Sequence, residues 1–333
     1  MQWYNRNMSK YHFVINPAGA SGRTGKEWEK LKPLCQKYGI SFEEHFTTVT
    51  EGMTEICRKL TGDLREDIDL VIVGGDGSFN EALNGIRDFE HTRIGLIPCG
   101  SGNDFALSMN LPHAREALVR KLAEDKVSRI LDVGEVTVLD SVDRYDALSD
   151  TFDASYSTEP VVRRFNNAVG IGFDAEICRH VITSRFKKPL NKIHLGKLIY
   201  LVVAMRLIFK NRKTAARILT DGKEQKYEQM MFSVCMNQPY EGGGFKFCPH
   251  AEADDGLLDT CTAYDLGSGA FFRLFPKAYN GGHIGHEGVD EGRGKVILIE
   301  TEDPLWVQTD GEIICRSRKI SVTVIPKKLQ FLL

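Results

Sequence analysis

No stretch of this 333-residue sequence is apolar for long; the longest run, Leu198–Met205, lasts eight residues before Arg206 interrupts it. A bilayer-spanning helix needs about 20, which excludes a polytopic membrane protein. A large net charge is missing too, with 43 Lys and Arg against 45 Asp and Glu. With 42% hydrophobic residues, that balance excludes wholesale disorder and a collagen-like fibre. No Cys-x-x-Cys pair occurs among the eight scattered cysteines, so they read as reduced cytosolic thiols, neither a disulfide framework nor a zinc site. Met1–Lys10 is polar and lacks the pattern of a secretory signal; Met8 is an alternative natural start that would make Met1–Asn7 an upstream extension. Internal repeats and low-complexity tracts are absent. The expectation is a cytoplasmic protein of two domains, at about 150 residues per domain.

What is present is unevenly distributed. Between Arg179 and Arg217 stand eleven Lys and Arg and no Asp or Glu, which leaves 32 basic against 45 acidic residues elsewhere. The basic segment encloses the apolar runs Leu198–Met205 and Leu207–Phe209. Basic and apolar residues together suit peripheral contact with anionic lipid headgroups, although a core helix with a solvated face has the same composition. Few aromatic residues interleave here, so a nucleic-acid partner is not expected.

The first 133 residues alternate strand and helix signals. Tyr11–Ile15, Phe42–Thr48, Asp69–Val73 and Arg93–Ile97 read as strands, and Lys26–Tyr38, Met53–Leu60 and Ser78–Ile86 as helices. This rhythm predicts an α/β domain with a mainly parallel sheet, whose ligands gather at the carboxyl ends of its strands. After Asp132 the pattern becomes β-rich and predicts a sandwich, with strands at Glu135–Leu139, Arg164–Val169, Ala215–Thr220, Glu228–Met236 and Leu258–Tyr264. Lys295–Glu300, Trp306–Thr309 and Lys319–Val324 continue it. Asp140–Glu159, acidic and rich in Ser and Thr, reads as a mobile hairpin insertion.

Three glycine-rich turns follow strands of the first domain. Val71–Val73 runs into Gly74-Gly75-Asp76-Gly77-Ser78 and then a helix, a sequence that lets backbone N–H groups approach a phosphate. Asp76 is awkward there unless a cation or hydroxyl intervenes. The spacing is neither a dinucleotide fingerprint nor a P-loop. Asn16-Pro17-Ala18-Gly19-Ala20-Ser21-Gly22 and Pro98-Cys99-Gly100-Ser101-Gly102-Asn103-Asp104 follow two other strands. Each alone is an ordinary turn; three at one sheet edge point to a nucleotide phosphate site.

These motifs resemble the diacylglycerol kinase catalytic-domain family, most closely its bacterial soluble lipid kinases. The resemblance rests on Asn16-Pro17, Gly74–Glu81 and Gly100–Ala106, and continues through Gly242–Phe245, Pro249–Asp259 and Asp310-Gly311-Glu312 in the family's order. It implies two domains with the active site in the cleft between them: an ATP-binding α/β domain over 1–132 with a returning segment at about 318–333, and a β-sandwich lipid and metal domain over 133–317.

By the resemblance, Asn16, Pro17, Ala18, Gly19, Ala20, Thr48, Gly74, Gly75, Asp76, Gly77, Ser78, Phe79, Asn80 and Ser101 would surround ATP. The family usually has Thr where Ser78 and Ser101 stand, and both retain the hydroxyl. A structural Mg²⁺ would be held by the Asp255 carboxylate with backbone carbonyls of Glu252 and Leu257. Glu312 would be the base, and Asp310 and Asp76 the candidates for holding the catalytic Mg²⁺. The implied reaction is ATP- and Mg²⁺-dependent phosphorylation of a membrane lipid hydroxyl, with diacylglycerol as default acceptor, by a cytoplasmic enzyme peripherally attached to the membrane; a homodimer is compatible with it. Two other readings stand beside this one: a soluble kinase of the NAD-kinase type, which shares Gly-Gly-Asp-Gly, and a catalytically silent lipid- or nucleotide-binding regulator. His283-x-x-His286 lacks a third ligand nearby and reads as structural, and Cys99 as a small buried filler.

Overall fold

The computed structural model describes residues 10–63, 66–100, 102–124, 127–146, 151–153, 160–182, 196–210 and 212–333. The chain divides into two compact units, one of residues 1–131 with 327–333 and the other of 132–326. The sequence placed these boundaries at 132/133 and about 317/318; the return to the first unit begins nine residues later than that.

In the first unit, β1 (Tyr11–Ile15) lies between β2 (Phe42–Phe46) and β3 (Ile68–Gly74), with β4 (Thr92–Pro98) beyond β3. All three pairings are parallel. Residues Gln330 and Phe331 add a last parallel partner to β4. Helices α1 (Gly19–Lys37), α2 (Met53–Leu60), α3 (Asp76–Gly85), α4 (Asp104–Ser108) and α5 (Arg115–Leu122) make the connections, as parallel pairing requires. Strand β3 is buried at every position, which is why its sequence is continuously apolar rather than alternating. The exception, Asp69, is matched across the ladder by Arg93, whose guanidinium grips both carboxylate oxygens at 2.5 Å. Trp28 of α1 closes the sheet's other side against Phe13 and Phe42, with ring centroids 4.6 and 5.6 Å away.

The second unit holds β5 (Arg129–Asp146) from Asp132 onward, β6 (Thr151–Asp153), β7 (Val161–Phe165), β8 (Ala168–Gly172), β9 (Thr214–Thr220), β10 (Lys223–Met236), β11 (Leu258–Tyr264), β12 (Val289–Gly294), β13 (Val296–Thr309) and β14 (Glu312–Phe331) as far as Pro326. Its pairings are antiparallel. The parallel pairings described all lie in the first unit, and the chain taken whole is not mainly parallel. Strand β10 pairs with β9 over Lys223–Met230, its register shifting after Tyr227, and with β8 from Phe232 on. Strand β13 does the same, meeting β9 over Ile297–Thr301 and β8 over Val307–Thr309. Two long strands bent at irregular points therefore serve both layers of a sandwich-like body. Ile171, Ile218, Met230, Ile299, Val307 and Ile320 fill its interior.

A second core packs the unit's helices, α6 (Phe173–Ile182), α7 (Gly196–Leu207) and α8 (Ser268–Leu274), through Phe173, Ile177, Ala204, Leu207 and Phe271. Of the Asp140–Glu159 insertion, Arg144–Asp146 pairs with β6; residues 147–150 and 154–159 lie outside the described residues, as do 183–195 of the basic segment. Among the described residues no helix is long and apolar enough to cross a membrane. All eight cysteines are free, and all but Cys99 are fully buried.

Candidate active site

Each unit carries candidate residues of its own. In the first, the Asn16 carbonyl accepts the Gly19 N–H at 3.0 Å. Ala20, Ser21 and Gly22 then take left-handed φ values of 50°, 61° and 83°, so the chain makes an irregular turn before α1 becomes regular. Thr24 is buried beside this turn and its hydroxyl has no hydrogen-bond partner among the described residues. A Cβ on Gly19 would stand 2.8 Å from that oxygen.

The other two glycine turns touch backbone to backbone. A Cβ on Gly75 would lie 2.9 Å from the Gly100 Cα, and the Cys99 N–H donates to the Gly74 carbonyl at 2.6 Å. Only glycine permits that approach. The structure also resolves the awkward acid: Asp76 Oδ2 accepts the Asp104 N–H and Oδ1 the Phe105 N–H, both at 3.1 Å. Its carboxylate caps α4. Burial pushes the Asp76 carboxyl up, and those backbone donors pull it part of the way back. The N–H of Asp76 itself also bonds that carboxylate, which leaves those of Gly77 and Ser78 in the first turn of α3 for an anion. The close glycine approach, these two N–H groups and the Thr24 hydroxyl fit a nucleotide phosphate chain.

Several expected contacts fall elsewhere. Phe79 and Asn80 are fully buried. Phe79 stacks on Phe105 at 4.4 Å and meets Phe331 edge-on, while the Asn80 carbonyl and side-chain oxygen receive Asn84 Nδ2. The fourth and fifth residues of a helix starting at Asp76 turn towards the core, so neither lines the phosphate side. Gly77 and Ser78 lie in the first turn of α3, and the Ser78 side chain covers Gly74. Thr48 is exposed after β2, its hydroxyl accepting the Glu51 N–H at 3.0 Å. Ser101 lies outside the described residues. Burial pushes the Cys99 thiol up to about 11, so it supplies no thiolate.

In the second unit, Asp310 and Gly311 make the left-handed two-residue turn joining β13 to β14, with φ of 47° and 86°. The Asp310 carboxylate accepts three consecutive backbone N–H groups: Asn166 on Oδ2 at 3.0 Å, and Asn167 and Ala168 on Oδ1 at 2.9 Å. Gln308 Oε1 accepts the Gly311 N–H at 2.7 Å. The turn is held from both sides. Glu312, next along, is half-buried, and its carboxylate has no hydrogen-bond or ion-pair partner among the described residues.

Around this turn lies a polar cluster that no motif announced. Asn166, Asn167, Asn237, Gln238, Glu241 and Gln308 are all buried. Both side-chain polar atoms of Gln238, together with Asn166 Oδ1, Asn237 Oδ1 and Thr309 Oγ1, have no partner among the described residues. Buried polar atoms normally find partners, so this cluster has donors and acceptors left over for water or a polar ligand. The one available signal was the density of Asn and Gln at Asn166-Asn167 and Asn237-Gln238 in otherwise strand-like sequence.

Gln308 also donates from Nε2 to Asp174 Oδ2 at 2.8 Å and to Glu241. Burial pushes the Asp174 carboxyl up to about 6, against the pull of that amide. The folded state then holds a proton that the unfolded chain releases, so the group's stabilising contribution is complete at low pH and lost as pH rises through about 6. Asp174→Asn is expected to raise stability by about 1–3 kcal/mol near pH 7 and to change it little near pH 4. Urea midpoints at the two pH values check this, and equal effects at both would remove Asp174 as the source.

The expected structural Mg²⁺ site has another cation in it. Asp255 Oδ1 accepts the Leu257 N–H at 2.9 Å, and Oδ2 pairs with the Arg293 guanidinium, which also reaches towards Asp259 at 3.7 Å. The Gly256 N–H donates to buried Asp132. Glu252 is exposed. With both Asp255 oxygens engaged and its charge matched by Arg293, the donor set as arranged does not fit a hard cation that needs six or more oxygens. His283 is likewise structural, bonding the Phe247 carbonyl at 3.2 Å with burial lowering its pKa.

Comparison with known proteins agrees with this architecture. Residues 10–136 match the diacylglycerol kinase catalytic domain, and residues 167–333, half of the chain, match the YegS C-terminal NAD kinase beta sandwich-like domain. A Bacillus subtilis diacylglycerol kinase is 24% identical over 306 residues, covering 92% of this chain and 90% of its own. A Mycobacterium tuberculosis diacylglycerol kinase is 24% identical over 263 residues, 79% of this chain and 76% of its own. A crystal structure of a diacylglycerol kinase from Bacillus anthracis superposes with a TM-score of 0.70 at 20% identity, over 98% of both chains. With both halves matched in order, the chain belongs to the diacylglycerol kinase catalytic-domain family.

Proposed function

We propose that this protein is an ATP-dependent lipid kinase that transfers the γ-phosphate to a lipid hydroxyl, with diacylglycerol as the default acceptor and phosphatidic acid as product. Mg²⁺ enters with ATP as part of the substrate. The observation that carries the reading is Glu312: a half-buried carboxylate without a partner among the described residues, next to a turn locked by three N–H bonds to Asp310. Glu312 accepts the proton of the lipid hydroxyl as its oxygen bonds to the γ-phosphorus. The bond from that phosphorus to the β–γ bridging oxygen breaks, and ADP leaves. In such a loose transition state, positioning outweighs base strength, which suits a rigid turn. The orphaned polar atoms of Gln238, Asn166 and Asn237 offer partners for the hydroxyl and ester groups of the acceptor.

Lipid access has support in the same unit. Val202, Met205, Phe209 and Phe272 are exposed apolar side chains, and Arg206 and Lys210 beside them are exposed cations. That is the composition of a surface that rests on anionic lipid. A small apolar pocket lined by Phe232, Phe247, Phe271, Leu274, Phe275 and Val289 lies in this unit. At about 30 Å³ it is far below the ~150 Å³ that admits benzene, so an acyl chain entering there must displace α8.

The test is transfer of labelled γ-phosphate from ATP to lipids extracted into mixed micelles, with and without Mg²⁺. A Mg²⁺-dependent labelled lipid supports the reading and its identity names the acceptor. Transfer to NAD or another soluble alcohol alone supports the NAD-kinase type. ATP binding without any transfer supports a silent regulator.

A further inference from the structure

We propose a metal site, for a late first-row transition metal of the zinc class, between the first unit's edge strand β2 and its neighbour β1. Among the described residues, His12, Glu43 and His45 are the one group of three such side chains whose ligand atoms all lie within 4.8 Å of one another. They converge because of register. His12 stands opposite Glu43, and Val14 opposite His45, on parallel strands β1 and β2. With side chains alternating faces, residues 12, 43 and 45 therefore share one face. The imidazoles stack with centroids 5.3 Å apart at 19°.

His12 Nδ1 lies 3.0 Å from His45 Nε2 and 3.9 Å from Glu43 Oε2. Two nitrogens bound to one tetrahedral zinc at ~2.0–2.1 Å stand about 3.3–3.4 Å apart, so the pair must open by a few tenths of an ångström and both rings must turn to aim their nitrogens at the metal. The donor set decides the class. Two imidazoles and one carboxylate suit zinc and its neighbours, whereas Mg²⁺ prefers all-oxygen octahedra. Three protein ligands leave a fourth position for water. One competitor must move: Lys10 Nζ pairs with Glu43 at 2.8 Å, but both side chains are about half exposed, and such surface pairs hold weakly.

The site is not catalytic. His12 is four residues before Asn16 and His45 three before Thr48, about 10–13 Å along each strand. Bound metal would instead fasten edge strand β2 to β1, the two strands that lead into those loops.

The full chain is titrated with Zn²⁺ against a chromogenic chelator, and with Co²⁺ by visible absorption, alongside His45→Gln, His12→Asn and Glu43→Gln. The expected result is one Zn²⁺ per chain and tetrahedral Co²⁺ bands free of thiolate charge transfer. Zn²⁺ raises the melting temperature, and affinity falls at least about tenfold in His45→Gln. Circular dichroism confirms each fold; if His12→Asn unfolds, the exposed Glu43→Gln, with its own expected loss of affinity, carries the reading. Absence of zinc binding, thiolate bands, or affinity unchanged in the folded variants overturns the site and leaves His12–His45 a simple hydrogen bond.

Discussion

Glu312→Gln is expected to lower phosphate transfer by about 10²–10⁴-fold while leaving ATP affinity within a few-fold. The amide keeps the shape of the side chain and cannot take the acceptor's proton. Because Glu312 makes no hydrogen bond or ion pair among the described residues, its replacement breaks nothing else, and the unfolding midpoint should not move. A loss confined to turnover is therefore the signature. It is read from initial rates in mixed micelles and from nucleotide binding to the same preparation. Retained turnover would remove Glu312 from the base role; a loss of ATP binding would assign it to the nucleotide instead.

Asp310→Ala is expected to act on both stability and turnover. It strands the N–H groups of Asn166, Asn167 and Ala168. Asn166 and Asn167 are buried, and each unsatisfied buried donor costs about 1–3 kcal/mol. Alanine is also a poor occupant of the left-handed φ of 47°. Together these predict a loss of about 3–5 kcal/mol in denaturant unfolding. Below the lowered midpoint the folded variant should still turn over more slowly than its parent, because the strand entry that holds Glu312 has lost its anchor. A midpoint shift under about 1 kcal/mol would mean that the three hydrogen bonds contribute little beyond what water supplies.

The repeating units of the fold were legible in the sequence, and its corners were not. Runs such as Asp69–Val73 and Arg93–Ile97 declare buried parallel strands because both faces are covered. The glycine turns declare themselves because close backbone approach tolerates nothing larger. Asp310-Gly311 is readable as a hairpin turn for the same reason. The Arg164–Val169 strand of the sequence reading runs through the break at Asn166-Asn167, between β7 and β8. That corner is held by Asp310, more than 140 residues away, which collects its N–H groups, and by Asn237, which donates to the Asn166 and Asn167 carbonyls. A local pattern holds no trace of so distant a partner.

Asp76 shows the same limit. As a motif residue beside expected phosphates it invites a metal role, whereas its carboxylate is committed to the next helix. Phe79 and Asn80 belong to the same motif but are taken by the core. Arg293, 38 residues beyond Asp255, likewise neutralises that carboxylate without any signal in the turn itself. A motif fixes which residues recur together, and geometry decides which of them face a ligand.

The shared ownership of the first unit sets an order of assembly. Phe331 packs edge-on against Phe79 and Phe105, from the two glycine-loop helices, and its carbonyl accepts the Ser128 N–H at 2.7 Å. Residues 327–333 emerge from the ribosome only after all of 132–326 has been made. The continuous second unit can therefore close while the loops at Gly74 and Gly100 still lack their aromatic support. Premature termination just short of these residues would thus strike at the opposite end of the sequence, in the loops that begin at Gly74 and Gly100.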